Sequence, residues 1–176
     1  RLLTPKHGWA KTEQNRRWAL ERLRRLPFAV ELESIIGRYV IALDNPNLDV
    51  AFLQMWAILE KITDTVGGKY DETIDRATWV FSDRAVAKNL LEHLRVRRNR
   101  YVHAGRSSDD REQPVYMIKS FVEPHILRLI RNDFNVATLR EYGEFLCLPK
   151  DASTLKARRA QLQRVITMNK KKPSDV

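Results

Sequence analysis

Apolar residues recur every three to four positions along almost the whole chain, the spacing that lines one face of a helix, and strand-type alternation is nearly absent. In TEQNRRWALERLRRLP, Thr12 is a candidate helix cap and Pro27 a stop signal. PFAVELESIIGRYVIALDN predicts a second helix from Pro27 to about Asp44, with Leu32, Ile35, Ile36, Tyr39, Val40 and Leu43 on one face. A third, VAFLQMWAILEKITDTV, opens where Asn47 or Asp49 can cap it and buries Phe52, Trp56 and Leu59. DRATWVFSD reads as a short helix or turn. AVAKNLLEHLRVRRNRYVHAG reads as a long helix that buries Leu90, Leu91, Leu94 and Tyr101, with Gly105 just past its end. SSDDREQ is a polar loop. PVYMIKSFVEPHILRLIRN, VATLREYGEFLCLP and DASTLKARRAQLQRVITMN complete the helices, and Pro124 inside the first of these predicts a kink or break. The fold class is all-α, a bundle of about seven to eight helices.

With 43% hydrophobic and 31% charged residues over 176 positions, the chain can bury a core without metal or disulfide support, and a single domain spanning 1–176 is expected. The one cysteine, Cys147 in EFLCLP, excludes an internal disulfide framework; it reads as a small core residue in a chain of the reducing cytoplasm. No apolar run approaches the ~20 residues of a membrane span, so no membrane partner is expected. The opening RLLTPKHGW has neither an initiator Met nor a signal-peptide core and reads as an internal piece of a longer polypeptide.

The net charge of +10 directs attention to anionic partners, nucleic acid first. The excess is concentrated: residues 1–26 carry eight Lys/Arg against two Glu, residues 84–106 seven against one, and residues 151–176 seven against two. Arg95, Arg97 and Arg100 in the middle cluster, and Arg158, Arg159 and Arg164 near the C-terminus, are candidate RNA-binding residues. NKKKPSDV reads as a solvated tail.

One stretch of the middle cluster carries chemistry. RRNRYVHAG, residues 97–105, places an Arg-Asn pair five residues ahead of a histidine. An arginine upstream of a histidine arises easily in so basic a chain, and Arg1 with His7 is an example with nothing around it. The wider segment LLEHLRVRRNRYVHAG, however, resembles the signature of the HEPN superfamily, the higher eukaryotes and prokaryotes nucleotide-binding domains. It is closest to the Apea-like branch, in which an Arg-Asn pair precedes an aliphatic residue, His and Gly. AFLQMWAILEKI is similar to that branch's earlier helix, with its Trp and downstream Leu-Glu. The resemblance covers roughly residues 47–132.

This resemblance implies a metal-independent endoribonuclease in defence, toxin-antitoxin or RNA-processing biology, working without a cofactor. Arg98 and His103 match the R-x4-H motif, Asn99 the polar residue after the Arg, and Glu60 the acidic position of the earlier helix. Arg97 lacks the polar successor, which favours Arg98. Gly105 stands where one variant of the family carries a modifiable Tyr. The implied reaction needs a proton donor or acceptor that works near neutral pH, which histidine supplies, and a fixed cation for phosphate oxygens, which arginine supplies. A position near the end of the helix favours a charged His103. Glu60, if it reached the cleft, would orient Arg98.

On an ideal helix two residues five apart diverge by about 140°, so Arg98 and His103 converge poorly within one chain. The family's habit of pairing two motifs implies a homodimer, or a second HEPN-like segment, with an antitoxin or other protein as a further candidate partner. Two other readings stay open. One is a catalytically silent HEPN-like module for RNA binding or dimerisation. The other is a helical DNA-binding domain, for which no helix-turn-helix pattern is present. His93 and His125 read as ordinary surface or core histidines and Trp56 and Trp79 as core residues. One cysteine and four scattered histidines make no usual zinc site, and VGGKYD lacks phosphate-loop spacing.

Overall fold

The computed structural model describes residues 8–67, 70–104 and 112–170, all helices and connections. Eight helices follow in order: α1 (Gly8–Arg24), α2 (Ala29–Leu43), α3 (Leu48–Ile62), α4 (Tyr70–Thr78), α5 (Arg84–Ala104), α6 (Glu112–Arg131), α7 (Leu139–Phe145) and α8 (Ala152–Lys170). No strand occurs among the described residues. Residues 1–146 form one compact unit that holds α1 to α7, and residues 147–176 form a second that holds α8.

In the larger unit α3 is the central element, packed mainly on α2 and α6. Its sequence explains this placement, because Ala51, Phe52, Met55, Trp56, Ile58, Leu59 and Ile62 bury most of its circumference. The Asn47 side chain starts the helix by accepting from the backbone N–H groups of Asp49 (3.1 Å) and Val50 (3.2 Å). Leu32 and Ile35 of α2, Leu91 and Leu94 of α5, and Ile118, Phe121 and Val122 of α6 share the same buried core.

The corner after α3 is fixed by polar bonds. Asp64 takes a left-handed conformation, with φ of 55°. Arg76 Nη1 of α4 donates to the carbonyls of Thr63 (2.8 Å) and Asp64 (3.0 Å), satisfying backbone acceptors that α3 leaves open at its end. Gly143 of α7 lies directly on this corner. A β-carbon there would stand 2.7 Å from Arg76 Nη1, 2.7 Å from Asp64 Cβ and 2.9 Å from the Thr63 carbonyl oxygen, so no side chain fits. Trp79 joins the same region in edge contacts with Phe134 and Phe145, partly buried against the core.

Several local expectations are corrected. Thr12 is not a cap but a residue inside α1, where its hydroxyl donates to the Gly8 carbonyl (3.0 Å) and so finds its partner within the helix. α6 runs unbroken through Pro124, because its buried residues on both sides hold the helix in register despite the missing donor. Val40 and Leu43 of α2 are exposed, while Ala42 takes the buried position near the end of that helix. Cys147 is exposed and not in the core, since the buried stretch ends at Leu146. Gly105 and most of SSDDREQ lie outside the described residues, as do the side chains of Tyr101 and His103.

Candidate active site

Three helices meet at the Arg-Asn pair. α3 supplies Trp56 and Glu60, one turn apart; α4 supplies Tyr70 at its first residue; α5 supplies Arg98 and Asn99. Trp56 is buried, and its indole Nε1 donates to Glu60 Oε1 at 2.8 Å, which satisfies its one polar atom and fixes the ring. The edge-on contact of Trp56 with Tyr70 has ring centroids 6.4 Å apart at 64°. Tyr70 in turn receives Arg98. The guanidinium carbon stands 4.9 Å from the phenol centroid, Nη1 donates to the hydroxyl, and the same nitrogen lies 3.4 Å from Asn99 Oδ1.

Glu60 therefore belongs to this cluster through Trp56. The anticipated hydrogen bond from Arg98 to Glu60 is not formed among the described residues, since the phenol of Tyr70 takes that place. Arg98 is half-buried, not a fully exposed cleft residue. His103 lies in the last turn of α5, five residues beyond Arg98, and only its helical backbone is described.

The neighbouring arginines are placed differently. Arg95 pairs with Asp71 of α4 at 2.8 Å, and Arg97 stands 3.9 Å from the buried Asp49 at the start of α3. Both cations thus face carboxylates, whereas among the described residues Arg98 meets a neutral phenol and a neutral amide. Arg100 is exposed, and Arg158, Arg159 and Arg164 are exposed on α8 of the C-terminal unit.

Sequence reasoning did not find Tyr70, 28 residues before Arg98, because nothing in the local pattern marks so distant a contact. Trp56 with Glu60 was legible in principle, since residues four apart share a helix face. An apolar groove of about 840 Å³ between α1, α2 and α6, lined by Leu20, Leu23, Ile36, Val40 and Leu127 among others, contains none of the candidate residues. Among the described residues no group of three or more His, Cys, Asp or Glu side chains could hold a metal ion, and no helix is long and apolar enough to cross a membrane. No family model, curated protein or solved structure matches the chain.

Proposed function

We propose that this protein is a metal-independent endoribonuclease whose reactive residues are Arg98 and His103, supported by Asn99 and Glu60. The observation that carries the proposal is the contrast among the arginines of α5: Arg95 and Arg97 face carboxylates, and Arg98 rests on uncharged Tyr70 and Asn99. A cation matched to neutral partners keeps its charge for an incoming phosphate. The field of an ion-paired one is partly offset by its carboxylate.

In the reaction the RNA 2'-hydroxyl attacks the adjacent phosphorus, its proton passes to a base, and the P–O5' bond breaks. The products are a 2',3'-cyclic phosphate and a 5'-hydroxyl. His103 protonates the leaving oxygen, and Arg98 stabilises the charge on the non-bridging oxygens. The divergence of about 140° between positions five apart is met by pairing two RNRYVH segments, so that one chain's Arg98 works with the other's His103. Cleavage of RNA with chelator present, lost in His103→Ala, is the test. Wild-type protein inert towards RNA would reject the proposal.

A second reading has its own support. The Trp56–Tyr70 ring contact and the Arg98–Tyr70 bond tie α3, α4 and α5 together, as a purely structural cluster would. Under that reading the domain is a silent RNA-binding or dimerisation module, and Arg98→Ala lowers stability without removing any cleavage.

A further inference from the structure

The partner of Arg98 is an unusual choice for a functional cation. Glu60 is the acidic residue expected to orient Arg98, yet its Oε1 accepts from the Trp56 indole at 2.8 Å, and the guanidinium is met by Tyr70. Tyr70 holds it in two ways. Its ring lies under the guanidinium carbon at 4.9 Å, and its hydroxyl accepts from Nη1. The ring is itself braced from behind by Trp56, whose orientation Glu60 fixes. A chain of contacts thus runs from Glu60 through Trp56 and Tyr70 to Arg98, and no link in it places a negative charge on the guanidinium.

We infer that Tyr70 is the positioning residue for Arg98: it orients the guanidinium through the Nη1 bond and ring contact, presents the Nε–Nη2 edge to a phosphate, and leaves the positive charge undiminished. This inference rests on the ribonuclease reading given above. A carboxylate in the same place would orient Arg98 equally well, but it would offset the charge that binds phosphate and repel the phosphate itself. The acidic position of α3 then acts at one remove, by holding the indole against which Tyr70 is packed.

The test uses Tyr70→Phe, which keeps the ring on Trp56 and removes only the hydroxyl. Two readouts are needed: kcat and KM for RNA cleavage, and affinity for an uncleavable RNA with every 2'-hydroxyl methylated, which presents the phosphates alone. Loss of a hydrogen bond to a charged group is expected to lower kcat/KM about tenfold, with the melting temperature changed little. In the Arg98→Ala background the same substitution is expected to change neither affinity for the methylated RNA nor residual cleavage, because there is no guanidinium left to position. A merely structural Tyr70 would instead show equal effects in both backgrounds, and that result would overturn the assignment. Wild-type cleavage that Tyr70→Phe leaves unaltered would overturn the role of Tyr70 alone. Failure of wild-type protein to bind or cleave RNA would overturn the ribonuclease reading and this role with it.

Discussion

His125 offers the most direct check on how the core is built. It is fully buried on α6, with Nε2 2.9 Å from the Ala77 carbonyl oxygen of α4 and Nδ1 2.7 Å from the Tyr142 hydroxyl of α7. A carbonyl can only accept, so Nε2 carries the proton, and neutral Nδ1 accepts from the phenol. Burial of Tyr142 pushes its own pKa up, which keeps that donor protonated. Every bond at the junction is satisfied by the neutral imidazole. Burial is the main force that lowers the His125 pKa from 6.5 to about 4; the bond to Ala77 opposes it, and Arg128 nearby adds to it.

The folded-state pKa therefore lies below the unfolded value, and the unfolded chain takes up the proton first as pH falls. The contribution to stability is fully present above about pH 6.5 and is lost progressively as pH falls towards 4. At 1.36 kcal/mol per pKa unit the loss is about 3 kcal/mol, a large share of the stability of a domain this size. His125→Gln isolates the effect, because its amide can donate to Ala77 and accept from Tyr142 but does not titrate in this range. Urea unfolding of both proteins at a series of pH values from 7 to 4 is the assay. Wild type is expected to lose about 3 kcal/mol more than His125→Gln across the range. Parallel pH profiles would refute the burial argument, whatever the stability of either protein at pH 7.

Gly143→Ala forces a methyl group to within 3 Å of the backbone at Thr63 and is expected to cost about 1–3 kcal/mol, read as a lowered urea midpoint. Arg98→Ala removes the contact with Tyr70 and is expected to lower stability by about 1–2 kcal/mol; an unchanged midpoint would mean the contact adds nothing. Neutralising Arg158, Arg159 and Arg164 together is expected to reduce the slope of log affinity for single-stranded RNA against log salt by about 2, and an unaltered slope would make these residues spectators to RNA binding. Arg98→Ala and His103→Ala proteins mixed together are expected to recover partial cleavage if each site draws on two chains, and complete inactivity of the mixture would argue against the composite site.

The helices were legible because apolar residues recur at helical spacing, and most of those in the larger unit bury a stripe, whereas the described side chains of α8 are all exposed. α3 shows this best: an asparagine cap, then a dense apolar face, then a polar turn. Where local signals were weak, tertiary packing decided the result. Pro124 predicts interruption, yet Phe121 and Val122 before it and His125 and Leu129 after it are all buried against neighbours, and the helix continues. Cys147 is apolar in its setting but follows the last buried residue of the larger unit. A residue's own polarity does not report where the core stops.

The site was legible only along single helices. Arg98 with Asn99 can be read because they are adjacent in the chain, and Trp56 with Glu60 because helical geometry puts residues four apart on one face. The partners that distinguish one arginine from another come from elsewhere: Asp49 for Arg97, Asp71 for Arg95, Tyr70 for Arg98. These assignments depend on how α3 and α4 pack against α5, and no local spacing encodes them. In sequence Arg97 and Arg98 are adjacent cations of the same type, and only the residue that follows separates them. In the fold they differ in electrostatic state, one facing a buried carboxylate and the other a phenol. Under the proposed ribonuclease reading, charge favours Arg98 over Arg97 as the phosphate-binding group, since bringing a phosphate to an arginine already opposed by a carboxylate would require that carboxylate to be displaced or left to repel the substrate.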